Sequence, residues 1–226
     1  ATEERHKLDQ TGVYVQDLMA WNNWRLTLGG RYDKVSLNST NLLSHKASKL
    51  SDEQWSGRAA LMHLFDNGFA PYISYSTAFT PTNFVDSAGD LLEPMQGEQW
   101  EAGLKYQPTG SQNMYTLSVY NIEQKHVATK EQPTDPYRAI GKIRSKGIEV
   151  EANVWATEQL RVQANYSYND IRYVKSDDGY AGNRAVYAPK HMASVWADYQ
   201  HTGSLQGFST ALGARYVTGV DADRAN

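Results

Sequence analysis

The sequence predicts an all-β fold, an antiparallel up-and-down sheet of the transmembrane β-barrel class. Three observations predict it. Apolar and polar side chains alternate along most of the 226 residues, the alternating runs exceed the usual five or six residues of a strand, and short turns take turns with long polar stretches.

The alternation is clearest in five windows. In 24–33, Leu26, Leu28, Gly30 and Tyr32 oppose Thr27, Gly29, Arg31 and Asp33. In 99–106, Trp100, Ala102, Leu104 and Tyr106 oppose Gln99, Glu101, Gly103 and Lys105. In 147–154, Ile148, Val150, Ala152 and Val154 oppose Glu149, Glu151 and Asn153. The windows 160–169 and 191–199 repeat the pattern, with Val162, Ala164 and Tyr166 in the first and Ala193, Val195 and Ala197 in the second. A strand points successive side chains to opposite faces, so each window has one apolar and one polar face. With the weaker runs included, about ten strands are expected, near 10–21, 24–37, 53–65, 69–80, 97–107, 113–127, 139–154, 159–174, 190–200 and 207–218.

The connections fall into two classes. Short ones are expected at Asn22-Asn23, Asp66-Asn67-Gly68, 108–111, 155–158 and 201–204, where Asn, Asp and Gly tolerate positive φ. Long polar ones are expected near 38–52, 81–96, 128–138 and 175–189. In a meander every second connection lies at the same end, so one rim carries the turns and the other the loops. Bacterial outer-membrane barrels have this asymmetry. About ten residues of tilted strand cross a bilayer.

Charge and composition fit that reading. Arg31, Asp33, Glu101, Lys105, Glu149, Glu151, Arg161 and Asp198 all fall opposite the apolar face, which places them in a wet interior. The alternative is a soluble sandwich or barrel with the apolar face inside, and alternation alone is the same for both. The two differ in where Leu26, Leu104, Val150 and Val162 point. Mean hydropathy is -0.63, which suits a barrel because only alternate residues meet lipid. Fifteen Tyr and six Trp against five Phe favour rings with a polar tip, the residues of membrane–water interfaces. A net charge of -3 argues against sequence-independent nucleic-acid binding. The lack of cysteine removes disulfides, Cys-ligated zinc and a thiol nucleophile.

Several segments resemble one family. They are Gln10-Thr11-Gly12-Val13-Tyr14-Val15-Gln16-Asp17 with Leu28-Gly29-Gly30-Arg31-Tyr32-Asp33, then Leu64–Tyr72, Ser74–Phe79, Gly97–Tyr106, Ser145–Glu151, Ala188–Tyr199 and Gly213–Tyr216. In this order they resemble the barrel of TonB-dependent receptors, most of all the ferrichrome and ferrioxamine branch that takes hydroxamate siderophores. The resemblance implies a bacterial outer-membrane protein with a barrel of about 22 strands closed around an N-terminal plug. It also implies uptake of a ferric siderophore driven by the TonB–ExbB–ExbD complex through a TonB box. Residues 1–226 are expected to be a partial barrel domain, without the plug, the TonB box or the final strands. Lipid and lipopolysaccharide are the expected surroundings.

No catalytic constellation is present: there is no Gly-x-Ser-x-Gly, His-Glu-x-x-His or phosphate loop, so no enzyme is expected. The histidines His6, His45, His63, His126, His191 and His201 are scattered, and no metal site or bound cofactor is expected. Asp177-Asp178-Gly179 reads as a turn rather than a calcium loop. Glu149 and Glu151 read as two ionised groups in a wet lumen. An iron hydroxamate turns apolar methylenes and a few amides outward, so an aromatic-lined pocket with donors suits it. Candidate rings on the long-loop side are Phe79, Phe84, Tyr137, Tyr173, Tyr180 and Tyr187. For each, an interfacial girdle or loop packing is the alternative role. For the whole chain the alternatives are a passive porin-like channel and a soluble carbohydrate-binding β-protein.

Overall fold

The computed structural model describes residues 3–43, 45–130, 134–176 and 179–222. Ten strands follow in order: β1 (Glu4–Trp21), β2 (Trp24–Asn41), β3 (Ala47–His63), β4 (Phe69–Thr80), β5 (Met95–Tyr106), β6 (Met114–Thr129), β7 (Arg138–Trp155), β8 (Leu160–Lys175), β9 (His191–Gln200) and β10 (Ser209–Val217). They form one antiparallel sheet in sequence order, with β1 and β10 as its edges. This is the predicted meander.

One connection differs from expectation. Residues 38–52 were expected as a long loop, yet β2 and β3 run through most of it, with Leu37 opposite Leu50 and Thr40 opposite Ala47. Only 42–46 connect them. The reason is chemical: apart from Leu37, Ala47 and Leu50, the residues of 36–41 and 47–52 are Ser, Asn, Thr, Lys and Asp, so the ladder carries little hydropathy signal. The other three connections at that rim are 81–94, 130–137 and 176–190. Those at the opposite rim are 22–23, 64–68, 107–113, 156–159 and 201–208. The tightest joins Trp21 to Trp24 directly, with Asn22 at φ 47°. At Gly68 (φ 89°) a Cβ would overlap the Gln107 carbonyl, so both backbone angle and space require glycine.

The register sorts side chains into two faces. On one lie Met19, Leu26, Leu61, Ile73, Ala102, Val119, Ile148, Tyr168 and His191, linked pair by pair across the sheet. This apolar band is bounded by two rows of rings. Near the short turns, Phe69 stacks on Tyr106 at 4.3 Å and Trp24 meets His63 at 4.5 Å. Toward the loops, Tyr32 meets Trp55 at 5.0 Å and Tyr75 meets Trp100 at 4.7 Å. From Trp24 to Tyr32 is about 27 Å of strand, or about 20 Å of height once tilted by about 40°. That matches a hydrocarbon belt with its girdles. Asp17, opposite Leu28 on the edge strand, is the charged exception within the band.

Burial decides which face is outside. Ile73, Leu117, Val119 and Val150, all on the apolar face, are 43–48 % exposed. The buried hydrophobic residues Val35, Leu37, Ala70 and Tyr173 lie on the other face. The accessible surface is 14579 Å² for a mass of 25.4 kDa, where a soluble monomer of that size exposes roughly 10,000 Å². A soluble sandwich would hide Leu26, Leu104, Val150 and Val162 in a dry centre, and no second layer covers them. The apolar face is the lipid face, and Arg31, Glu101, Glu149 and Glu151 share the inner one.

On that inner face, three rings lie across a glycine directly opposite on the next strand. Tyr72 covers Gly103, Tyr120 covers Gly147 and Trp196 covers Gly213. A glycine in a strand is weak by itself, and a ring laid over it restores the packing. At Gly103 the three atoms nearest a Cβ all belong to the flexible end of Tyr72, whereas at Gly147 the Tyr168 carbonyl is among them.

Two predictions follow from these faces. Gly147→Ala is expected to cost about 1–3 kcal/mol by overpacking against backbone, and Gly103→Ala distinctly less. Urea unfolding in detergent measures both, and equal losses contradict the backbone clash. Val150→Arg is expected to cost about 2–4 kcal/mol on the lipid face, while Glu151→Arg one residue on stays near neutral. Heat-modifiable gel mobility after refolding separates the two, and the reverse order would invert the faces.

Candidate functional site

The site is built from the rim beyond the outer aromatic row. There the strands stand clear of the band and their outward residues become ionic. Lys34 faces Glu53 at 3.8 Å, Lys125 pairs with Glu98 at 2.9 Å, and Lys142 with Glu123 at 2.6 Å. The Lys142 hydrogen bond, above the membrane span, holds the Glu123 carboxyl below its usual range against the opposing effect of desolvation.

The 81–94 connection folds inward. Asp86 organises its tip, its side-chain oxygen accepting from Ala88 N at 2.8 Å and Asp90 N at 3.0 Å, with Gly89 at φ 86°. Leu92 N donates to Phe84 O at 2.9 Å, closing a small hairpin. The tip reaches β1–β3: Lys46 donates to Ala88 O at 3.2 Å, Ser48 donates to Gly89 O, and Asn83 meets His6 at 3.5 Å. His6 and Ser48 lie on the inner face, as do Val35 and Leu37, and Leu91, Leu92 and Pro94 of the loop are buried. The loop therefore covers the upper inner wall of β1–β3. Beneath it, fully buried Asp33 accepts from Arg31 at 2.6 and 2.7 Å and from Gln10 at 2.8 Å.

The far side of the same loop meets the 130–137 connection. Phe84 packs on Tyr137 with centroids 4.3 Å apart, and Lys130 Nζ stands 5.0 Å over the Tyr137 ring. His126 Nδ1 lies 3.7 Å from Glu93. His126 has φ 57° where β6 slips register against β7 between Gln124 and Val127.

The six candidate rings are thus placed differently. Phe84 and Tyr137 come together. Tyr180 lies in the 176–190 connection, which folds back onto Tyr173 near the end of β8: Gly182 N donates to Tyr173 O at 2.7 Å and Asn183 N to Tyr180 O at 3.0 Å. Tyr173 is buried on the inner face, while Tyr187 is exposed, with φ 56° and its N–H on Asp221 O. Phe79, opposite Gln96, is on the outward face. Sequence reasoning missed Lys130 beside the ring pair; the Lys and Tyr carry no spacing signal because a loop joins them. Asp177 and Asp178 lie outside the described residues. No group of three metal-ligating side chains occurs among the described residues.

Below the rim the inner wall is polar. Tyr72 donates to Glu101 at 2.6 Å, Gln99 donates to Glu101 at 2.9 Å, and Ser145 donates to Asn169 at 2.7 Å. A groove of about 450 Å³ runs past Tyr14, Gln16, Arg31, Ser56 and Arg58. One of about 620 Å³ runs past Glu149, Glu151, Asn165, Trp196 and Arg215. Lined by donors and acceptors from alternate residues, this wall suits a wet bore or a polar domain seated within it.

A lipid-facing apolar band between aromatic rows, with a polar inner wall, defines an outer-membrane β-barrel sheet. The family described as "TonB dependent receptor-like, beta-barrel" matches residues 1–226. The "Ferrioxamine B receptor" of Salmonella typhimurium is 54% identical over 226 residues, all of this chain and 32% of the relative. The "Ferrichrome outer membrane transporter/phage receptor" of Escherichia coli is 38% identical over 98% of this chain and 30% of its own length. Among solved structures, the siderophore receptor PiuA of Acinetobacter baumannii superposes with TM-score 0.85 at 22% identity, over 99% of this chain and 35% of PiuA. The chain spans about a third of the length of these relatives. It belongs to the TonB-dependent receptor family and contributes wall strands of its outer-membrane β-barrel.

A double-mutant cycle on Phe84→Ala and Tyr137→Ala is expected to give a coupling of about 0.5–1.5 kcal/mol. Protection of the 81–94 loop from proteolysis in the folded protein reads it out. Strictly additive effects would show that the rings touch without joining the two loops.

Proposed function

We propose that the protein is an outer-membrane receptor for energy-coupled uptake of a ferric hydroxamate-type siderophore, and that residues 1–226 are part of its barrel domain. The observation that carries this reading is the inward-folded 81–94 loop, whose Phe84 meets Tyr137 beneath the Lys130 ammonium. A compact chelate with methylenes and amides outside is held by such a surface: rings take the methylenes, and the ammonium and loop amides take the oxygens. The relationship to ferrioxamine and ferrichrome receptors supports the choice of hydroxamates.

In this reading Phe84 and Tyr137 form the first contact. Tyr173 near the end of β8, Tyr180 and Tyr187 on the 176–190 connection, and Phe79 on the outward face at the top of β4 are the further candidates. The ferric siderophore is cargo, not cofactor. Import is driven through TonB–ExbB–ExbD acting on a plug and TonB box, and the polar inner wall is the surface against which the plug sits.

The test is equilibrium binding of ferrioxamine B to the whole receptor in detergent, with uptake of the labelled chelate by cells with and without TonB. Tyr137→Ala is expected to weaken binding about fivefold or more, since aromatic rings of this kind contribute over 1 kcal/mol when desolvated. Uptake that survives loss of TonB, or steady single-channel conductance without ligand, would replace this reading with a passive channel.

A further inference from the structure

The wall splits above the outer aromatic row. β3 runs from Ala47 to His63, yet only Arg58–Met62 pair with β4, opposite Ser76–Tyr72. From Gly57 to Ala47, β3 keeps its ladder with β2 and has no strand on its other side. β4 meanwhile stays paired with β5 as far as Thr80. A slot therefore opens between β3 and the top of β4.

Three hydrogen bonds show which main-chain groups face the slot. Gly57 N donates across its foot to Thr77 Oγ1 at 2.9 Å. Phe65 N likewise donates to Phe69 O on the β4 side, whereas Leu64 N donates to Asn23 O on the β2 side. Sides alternate along an antiparallel strand, so Lys49, Ser51, Glu53 and Trp55 turn both N–H and C=O to the slot. Glu53 N donates to the neighbouring Asp52 carboxylate at 2.8 Å. The main-chain groups of Lys49, Ser51 and Trp55 have no partner there among the described residues. On the bore side, Lys46 and Ser48 hold the 81–94 loop, and Gln96 reaches Gln54 at 3.3 Å. The outward side is open.

The outward side chains give this edge a pattern. Trp55, 74 % exposed, shares a cleft of about 150 Å³ with Phe79, the candidate ring that turns away from the bore. Beyond Trp55 come Glu53, Ser51 and Lys49. Glu53 is held loosely, with Lys34 at 3.8 Å. A run of lysines keeps such an edge empty. Here the charges are of opposite sign and favour a strand that carries the complementary pair. Main-chain donors and acceptors with a side-chain cleft beside them are what adds an extended peptide to a sheet.

We propose that this edge docks an extended segment of a polypeptide partner outside the cell, added antiparallel to β3. The segment places an apolar side chain in the Trp55–Phe79 cleft, a basic one opposite Glu53 and an acidic one opposite Lys49. A second barrel in the same membrane carries its own β3 in the same direction, so it does not supply an antiparallel strand. The docking edge is independent of the siderophore.

The test uses the whole receptor in detergent and a labelled peptide, Leu-Thr-Lys-Thr-Thr-Thr-Glu capped at both ends, followed by fluorescence anisotropy. The wild type is expected to bind it, and to bind the form with Lys and Glu exchanged about tenfold more weakly. Methylating the peptide nitrogens that face β3 abolishes binding. Ser51→Pro removes a slot-facing N–H and no bond to β2. It weakens binding about fivefold relative to Ser51→Ala, the worth of one main-chain hydrogen bond. Trp55→Ala weakens it about tenfold, and heat-modifiable gel mobility shows that each variant is folded. No binding by the wild type overturns the proposal, as does equal binding of the methylated or the exchanged peptide. Equal binding by Ser51→Pro and Ser51→Ala also overturns it. Wild-type dimers in light scattering that Ser51→Pro abolishes would put a second copy in place of the peptide. Ferrioxamine B binding by Ser51→Pro stays at the wild-type level, so the siderophore reading stands or falls separately.

Discussion

The structure depends on one constraint: in hydrocarbon no water is available to satisfy a backbone N–H or C=O, so the ladder must do it. Between its edge strands β1 and β10 the sheet meets this demand without a second layer, and everything else follows from its two-faced pleat. Side chains that leave the pleat outward meet lipid and are apolar between the aromatic rows. Those that leave it inward meet water or polar protein and are free to be charged. The same chain would be an implausible soluble protein, because its surface is too large for its mass and its apolar residues are uncovered.

The inner face shows how a polar wall keeps its order. Few of its side chains are apolar and buried, so it also uses local devices: a ring laid over a facing glycine, a carboxylate held between tyrosine and glutamine, and buried Asp33 held by Arg31 and Gln10. Each fixes a side chain against the wall rather than across the bore. The 81–94 loop departs from this rule and reaches inward, and it is there that we propose ligand contact.

Much of the fold was legible because strand periodicity and membrane burial reinforce each other. Leu104, Ala102 and Trp100 on β5, or Val150 and Ile148 on β7, announce both strand and lipid face. Legibility fails where only one of the two signals exists. The rim ends of β2 and β3 are strands without lipid, so Asn38, Ser39 and Thr40 looked like loop. The site was harder still. Phe84 and Tyr137 were both singled out as rings on the loop side, but their meeting depends on how two connections fold, which neither periodicity nor composition encodes. Lys130 had no signal of its own, and Tyr173 became a buried anchor of its connection because the loop turned back onto β8.

The rim extension of β2 has a wider consequence. Beyond Tyr32 the strand continues to Asn41, about 30 Å of extended chain at about 3.4 Å per residue. It acts as a stiff collar that lifts the loop-bearing rim, where we propose capture, clear of the bilayer. Anchoring and recognition are thereby mechanically decoupled. Substitutions at the mouth therefore leave the belt that seats the molecule untouched, and on the proposed function they would change what is caught without unseating the barrel.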